Sequence, residues 1–224
     1  MGGKGNRDQV ARSKTGGTRA QPGRPPRVSE EALLRGALRL FAEFGYEGMS
    51  VRLLNQQLGI SHNTVNKRFG SKLDLWYAAV DQGFSILKND LAPILSDLQA
   101  AAEPRDVARY VIVAGLRASL KQPDILRLMN YEGARPSERL SYIFRAHLDP
   151  IMSVVHHALK KSAEEGTIRP VSARAIMFLL AHGAAAPFTL SGLSSEYDGL
   201  SGPLDEEEHI ELMADFLIAG LYLD

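Results

Sequence analysis

Between Ser61 and Arg68 the chain reads S-H-N-T-V-N-K-R, eight residues of which seven carry hydrogen-bonding or charged side chains. These types suit one kind of chemistry. An Asn amide can pair bidentately with adenine, a Lys ammonium with the acceptor edge of guanine, and a Thr methyl can meet that of thymine. Cations and hydroxyls can hold phosphate oxygens at the same time. The stretch sets no nucleophile beside a base and no ligand cluster for a metal. Its chemistry is recognition of a polyanion through base edges and backbone.

Such groups act only if a scaffold turns them outward together. On a helix that advances about 100° per residue, Val65 and Phe69 fall on one side. Lys67, Asn63 and Thr64 lie opposite, flanked by Asn66, His62 and Arg68. The preceding segment, Ser50 to Leu58, predicts another helix, and Gly59 suits a tight turn in which a left-handed backbone costs glycine little. Leu54, Leu58, Ile60, Val65 and Phe69 then share a small core, and Ser61 is expected to cap the second helix. This is a helix-turn-helix. Ser50, Arg52 and Lys72 stand at helix starts, where backbone N–H groups and cations favour phosphate.

Charge supports the reading. Residues 1–80 hold 13 Lys or Arg against 6 acids, and residues 81–224 hold 13 against 20, so a net charge of zero hides a basic end and an acidic end. That layout suits contact of one end with a polyanion. Residues 1–28 form an expected disordered basic arm rich in Gly, Pro and Arg, with Arg24 and Arg27 placed to reach a minor groove. The arm lacks the apolar run of a secretory signal.

The rest of the chain reads as all-α. Ser29 caps a first helix with a stripe through Leu34, Leu38, Phe41 and Phe44, ended by Gly45. Ser71 and Asp74 have the spacing of a capping box at the head of a fourth helix. Further helices are expected near 104–121, 124–132, 137–165, 172–190 and 205–222, with a kink caused by Pro187, which lacks an N–H and clashes with the carbonyl four residues back. The acidic run at 205–208 suits the dipole of the last helix. Residues 175–195 carry no formal charge, but His182, Pro187 and the lack of a flanking cluster of positive charge favour burial in protein over a membrane span. With no cysteine there is no disulfide and no thiol chemistry, which suits a reducing cytoplasm. Adjacent His156 and His157 project apart and make a poor metal pair, and no cofactor is expected. An enzyme reading finds only S-I-L-K at 85–88 and K-T-G at 14–16, in the wrong order for a serine acyl-enzyme and with no S-D-N between them.

The run G-Y-E-G-M-S-V-R-L-L-N-Q-Q-L-G-I-S-H-N-T-V-N-K-R-F-G-S-K-L-D-L-W, residues 45–76, resembles the DNA-binding region of the tetracycline-repressor (TetR) family of transcriptional regulators. The matching features are Gly45–Tyr46, Ser50 at the usual Thr position, the Leu58–Gly59–Ile60–Ser61 turn, and Phe69, Lys72 and Leu75. Asn55 departs from the usual small residue, Asn66 from the usual Tyr, and Arg68 from the frequent His.

The resemblance implies an all-α protein with a helix-turn-helix domain at 29–75 and a ligand-binding and dimerisation bundle at 76–224. It implies a homodimer that binds a palindromic double-stranded DNA operator and responds to an unidentified small-molecule effector. A DNA-binding protein without a ligand is the alternative. Ser50, Arg52, Ser61, His62, Asn63, Thr64, Asn66, Lys67, Arg68 and Lys72 are the expected DNA contacts. Phe84, Tyr110, Met129, Tyr142, His147, Met152, Phe178, His182 and Phe188 are candidates for the effector pocket. Ala181, Gly183, Ala184 and Ala185, together with an Ile210–Met213–Leu217–Leu221 stripe, are the expected dimer surface.

Overall fold

The computed structural model describes residues 2, 28–61, 63–97 and 103–223, with backbone alone for 90–97. Thirteen α-helices are described: α1 (Glu30–Gly48), α2 (Val51–Gln57), α3 (Thr64–Phe69), α4 (Lys72–Asp97), α5 (Pro104–Lys121), α6 (Pro123–Gly133), α7 (Glu138–Ile143), α8 (Asp149–Glu164), α9 (Ala173–Phe178), α10 (Ala186–Thr189), α11 (Ser191–Ser195), α12 (Asp198–Ser201) and α13 (Glu206–Leu221). Two π turns interrupt them, Phe144–Leu148 between α7 and α8 and Leu179–Ala184 between α9 and α10. Among the described residues the only bridge pairing is Ile168 with Tyr222.

Local chemistry explains most boundaries. The Ser29 hydroxyl accepts from Ala32 N at 3.1 Å, and Gly45, at φ 68°, breaks the helical path of α1 as a positive-φ glycine can. The Ser71–Asp74 box closes in both directions: Asp74 N donates to Ser71 Oγ at 3.0 Å and Ser71 N to Asp74 Oδ2 at 3.2 Å. Asp205 caps α13 by accepting from Glu208 N, with Glu206, Glu207 and Glu208 in the first turn. Arg117 pairs with Glu207 and Glu211, and Arg109 with Glu211 and Asp215, tying α5 to α13. Pro187 lies at the start of α10, just past a break at Ala185, whose N–H turns back to Leu180 O at 2.8 Å. The uncharged run 175–195 folds as four short pieces in place of one helix over 172–190. No described helix is long and apolar enough to cross a membrane.

The first core joins the head of the chain to α4, α6 and α7. Leu33, Ala37, Leu40, Phe41, Leu54 and Val65 pack with Leu75, Trp76, Phe84, Ile125, Leu128 and Ile143. A second core forms between α5, α6, the second π turn, α10 and α13 around Leu116, Ala181, Phe188, Ile210 and Ala214. A third gathers Ile168, Ile218, Leu221 and Tyr222.

Three expectations are corrected by this packing. Phe44 is exposed, while Leu33, Ala37 and Leu40 complete the buried face of α1. The small residues Ala181, Ala184 and Ala185 are buried in the chain's own second core, so the close helix approach they allow is made within the chain. The buried stripe of α13 is Ile210, Ala214, Ile218 and Leu221, with Met213 and Leu217 only partly covered and Leu212 and Phe216 outward.

Candidate nucleic-acid interface

The polar stretch of α3 is presented by a short, tightly braced unit. Gly59 takes φ 62°, and the turn is closed by Leu58 N to Leu54 O at 3.0 Å and Ile60 N to Asn55 O at 3.0 Å. Leu54 and Val65 are fully buried, and Leu58, Ile60 and Phe69 pack partly buried against the same core. Helix α1 passes close behind: a Cβ on Gly36 would stand 3.3 Å from Leu54 Cδ1. Gly70, at φ 84°, ends α3 with its N–H on Asn66 O at 3.0 Å.

Asn63, Asn66, Lys67 and Arg68 are exposed on this unit, with Thr64 half-buried beside them and Val65 inward. The helix begins later than the sequence suggests. Thr64 is its first residue and Asn63 its cap, without a side-chain hydrogen bond. The Ser61 hydroxyl meets Thr64 Oγ1 at 2.8 Å in place of a backbone N–H, so Ser61 is not the expected cap. The Ser50 hydroxyl caps α2 by accepting from Leu53 N, and Arg52 is exposed on its first turn. Arg24, Arg27 and His62 lie outside the described residues.

Two of the expected phosphate cations are engaged within the chain. Arg68 donates from both Nη atoms to Val28 O at 3.2 Å, pinning the chain where the basic N-terminal segment joins α1. Lys72 donates to Glu47 O at 3.4 Å and stands 4.7 Å from the centre of the Tyr46 ring. Lys67 and Arg52 are also exposed cations of the unit.

The candidate pocket residues do not converge on one cavity. Phe84, Tyr142 and His147 come together. The Phe84 and His147 rings stack at 4.3 Å between centroids, and Tyr142 Oη donates to Asp81 at 2.6 Å. Met129 packs between the first and second cores, and Phe188 lies in the second. Met152 lines an open cleft of about 430 Å³ with His156, His157, Ser153, Ser172 and Arg174. Tyr110, Phe178 and His182 face outward. Their helical spacing marks an apolar stripe without saying which neighbour covers it.

The Phe84–His147 group includes two residues that the sequence reading missed, Asp81 and Lys88. Their signal was spacing: positions 81, 84 and 88 share one face of α4. His147 Nε2 stands 2.9 Å from Asp81 Oδ1 and its Nδ1 3.4 Å from Lys88 Nζ. Because an ammonium only donates, Nδ1 accepts from Lys88, and Nε2–H donates to Asp81. The neutral ring therefore satisfies every partner, joining α4 to the first π turn, the kind of irregular turn often found at functional sites. Burial, chiefly, and then the Lys88 charge hold the His147 pKa below its ordinary value against the pull of Asp81. Burial and the Asp81 hydrogen bond push the Tyr142 phenol up to about 12.

A histidine depressed in the fold is neutral there while the unfolded chain takes up a proton as pH falls through about 6.5. Stability is thus fully present above that pH and is lost as pH falls through the folded pKa. Urea midpoints measured from pH 7.5 down to 5 should fall, and the fall should flatten in His147→Gln. An unchanged profile in the variant would remove His147 from the account.

The comparisons with known proteins agree with this geometry. The family model described as bacterial regulatory proteins, tetR family, matches residues 33–79, the segment from α1 into α4. An uncharacterized HTH-type transcriptional regulator of Bacillus subtilis (strain 168) is 25% identical over 151 residues, 65% of this chain and 76% of that protein. The HTH-type transcriptional repressor AcnR of Corynebacterium glutamicum is 28% identical over 152 residues, 66% of this chain and 72% of that one. Among solved structures, AibR in complex with isovaleryl coenzyme A and operator DNA shares the fold at TM-score 0.62 and 19% identity, over 85% of this chain and 96% of that one. The ketosteroid transcriptional regulator KstR2 of Mycobacterium tuberculosis does so at TM-score 0.64 and 18% identity, over 88% and 96%.

Proposed function

This chain belongs to the tetR family of bacterial transcriptional regulators, and from that premise we propose that it is a repressor that binds a palindromic DNA operator as a homodimer and answers to a small-molecule effector. The observation that carries the proposal is the outward face of α3, where Asn63, Asn66, Lys67 and Arg68 are exposed around a buried Val65 on a braced turn. Asn63, Thr64 and Lys67 would read base edges in the major groove. Ser50, Arg52, Ser61, His62, Asn66, Arg68 and Lys72 would hold the backbone, Arg68 and Lys72 by exchanging their contacts with Val28 O and Glu47 O for phosphate, with Arg24 and Arg27 of the arm in the adjoining minor groove. The head would comprise residues 29–75 and the bundle 76–224, and the protein would act in the cytoplasm.

Two heads on one dimer would meet half-sites about 34–36 Å apart or a multiple of that. Phe178 and Leu179 on one side, and Leu212 and Phe216 on α13, stay exposed on the helices that the family resemblance names for dimerisation, which supports this assembly. An effector held in the bundle, where Phe84, Tyr142 and His147 meet, would act on α4, which begins at Lys72 against α3 and carries Asp81, Phe84 and Lys88. Unequal affinity for the DNA-bound and free arrangements is what would drive release.

Lys67→Ala tests the reading head. It is expected to weaken specific binding by roughly 1–3 kcal/mol and to relax the preference at one base position. Uniform weakening across all sequences, with the salt slope lowered by about one, would assign Lys67 to phosphate instead.

A further inference from the structure

The end of α1 is held by a group of side chains that, Lys72 apart, neither the DNA contacts nor the effector site uses. Glu132, on α6, is a carboxylate whose side chain is only 3% exposed. Arg139, at the start of α7, reaches it with Nε at 2.9 Å from Oε1, and Ser137 adds a hydroxyl near Oε2. The same guanidinium lies 4.1 Å from the centre of the Tyr46 ring and 3.8 Å from Glu47 Oε1. Tyr46 is stacked in turn on Phe41, with centroids 6.0 Å apart and planes 8° from parallel, and Lys72 approaches it from the head of α4. Beside it, Tyr131 of α6 covers Gly45 so closely that a Cβ there would lie 1.9 Å from its ring.

The sequence 45–47 is thus gripped by the corner between α6 and α7, just before Ser50 starts the helix-turn-helix. A guanidinium can satisfy a carboxylate through its edge while its face meets an aromatic ring, so Arg139 can serve both partners at once. We propose that this corner is a clamp that fixes how the reading head stands on the bundle, with Arg139 as its positioning residue. Resting on the operator reading above, the clamp makes α1 a second route of coupling besides α4. It touches no DNA, and it acts by setting the separation and tilt of the two heads in a dimer.

Because Arg139→Ala alone would strand the buried carboxylate, the test uses the full-length protein with Glu132→Leu and Arg139→Met together, and separately Tyr46→Leu. Two readouts are needed: hydrogen exchange at the amides of residues 45–49, and binding to the selected operator beside versions with a base pair inserted or removed between half-sites. The clamp predicts faster exchange at 45–49 with the bundle's protection kept. It also predicts that discrimination against altered spacing falls about tenfold, within the span usual for coupling between sites. The salt slope should not change, since no phosphate contact is lost. Combining all three substitutions should add little beyond either variant, because they act through one contact.

Unchanged exchange together with unchanged spacing preference would overturn the clamp, and so would additive effects of the two variants. If the wild-type protein selects no operator, it is the regulator reading that fails. Exchange at 45–49 then decides the clamp alone, and unaltered protection would refute it.

Discussion

Arg139→Ala alone is expected to lower folding stability by about 3–5 kcal/mol, the usual cost of leaving one buried charge without its partner. Glu132 cannot recover that partner from water, because its side chain is 3% exposed, whereas Arg139 is 22% exposed. The paired change Glu132→Leu with Arg139→Met should restore most of the loss, since apolar groups of similar volume often replace a buried ion pair without penalty. Urea unfolding of the three proteins measures both effects. A loss below about 1 kcal/mol for Arg139→Ala would be the value of a solvent-exposed pair and would contradict the burial of Glu132.

Phe41→Ala is expected to cost about 3–5 kcal/mol as well, through lost transfer energy and the cavity left behind. Phe41 is fully buried in the core shared by Leu54 and Val65 of the helix-turn-helix, Trp76 of α4, and Ile125 and Leu128 of α6. Its loss should therefore lower the stability of both parts in one transition. Trp76, the only tryptophan in the chain, lies in the same core and reports that transition by fluorescence. If the head melted alone while the Trp76 signal stayed in place, Phe41 would serve the head only, and the shared core would be wrong.

Much of the scaffold was legible because its signals are local. Pro104 and Lys121 bound α5 as the proline and helical spacing suggest, and the Ser71–Asp74 box and the Asp205 cap need only residues three apart. Gly59 and its five apolar anchors revealed the helix-turn-helix because the turn is made of neighbours in sequence. The features that sequence alone could not reveal depend on partners far along the chain or on close competition between neighbours. Ser61 looks like a cap, yet its hydroxyl pairs with Thr64 Oγ1, and α3 starts later.

In α13, Met213 and Leu217 are as apolar as Ala214 and Ile218, so only the position of α5 decides which row turns inward. Phe178 and Phe188 show the same ambiguity ten residues apart: one is 60% exposed and the other buried. Arg139 was invisible for a related reason. A lone Arg in a helical stretch carries no mark of a carboxylate seven residues earlier or of an aromatic ring on α1.

The measurement that tests the central claim most directly is selection of bound duplexes from a random pool by the full-length protein in moderate salt. A dimer reading DNA through α3 predicts an inverted repeat with half-sites about one helical turn apart or a multiple of that, and loss of preference at one position in Lys67→Ala. Retained duplexes with no common sequence, bound no better than bulk DNA and lost alike as salt rises, would contradict it.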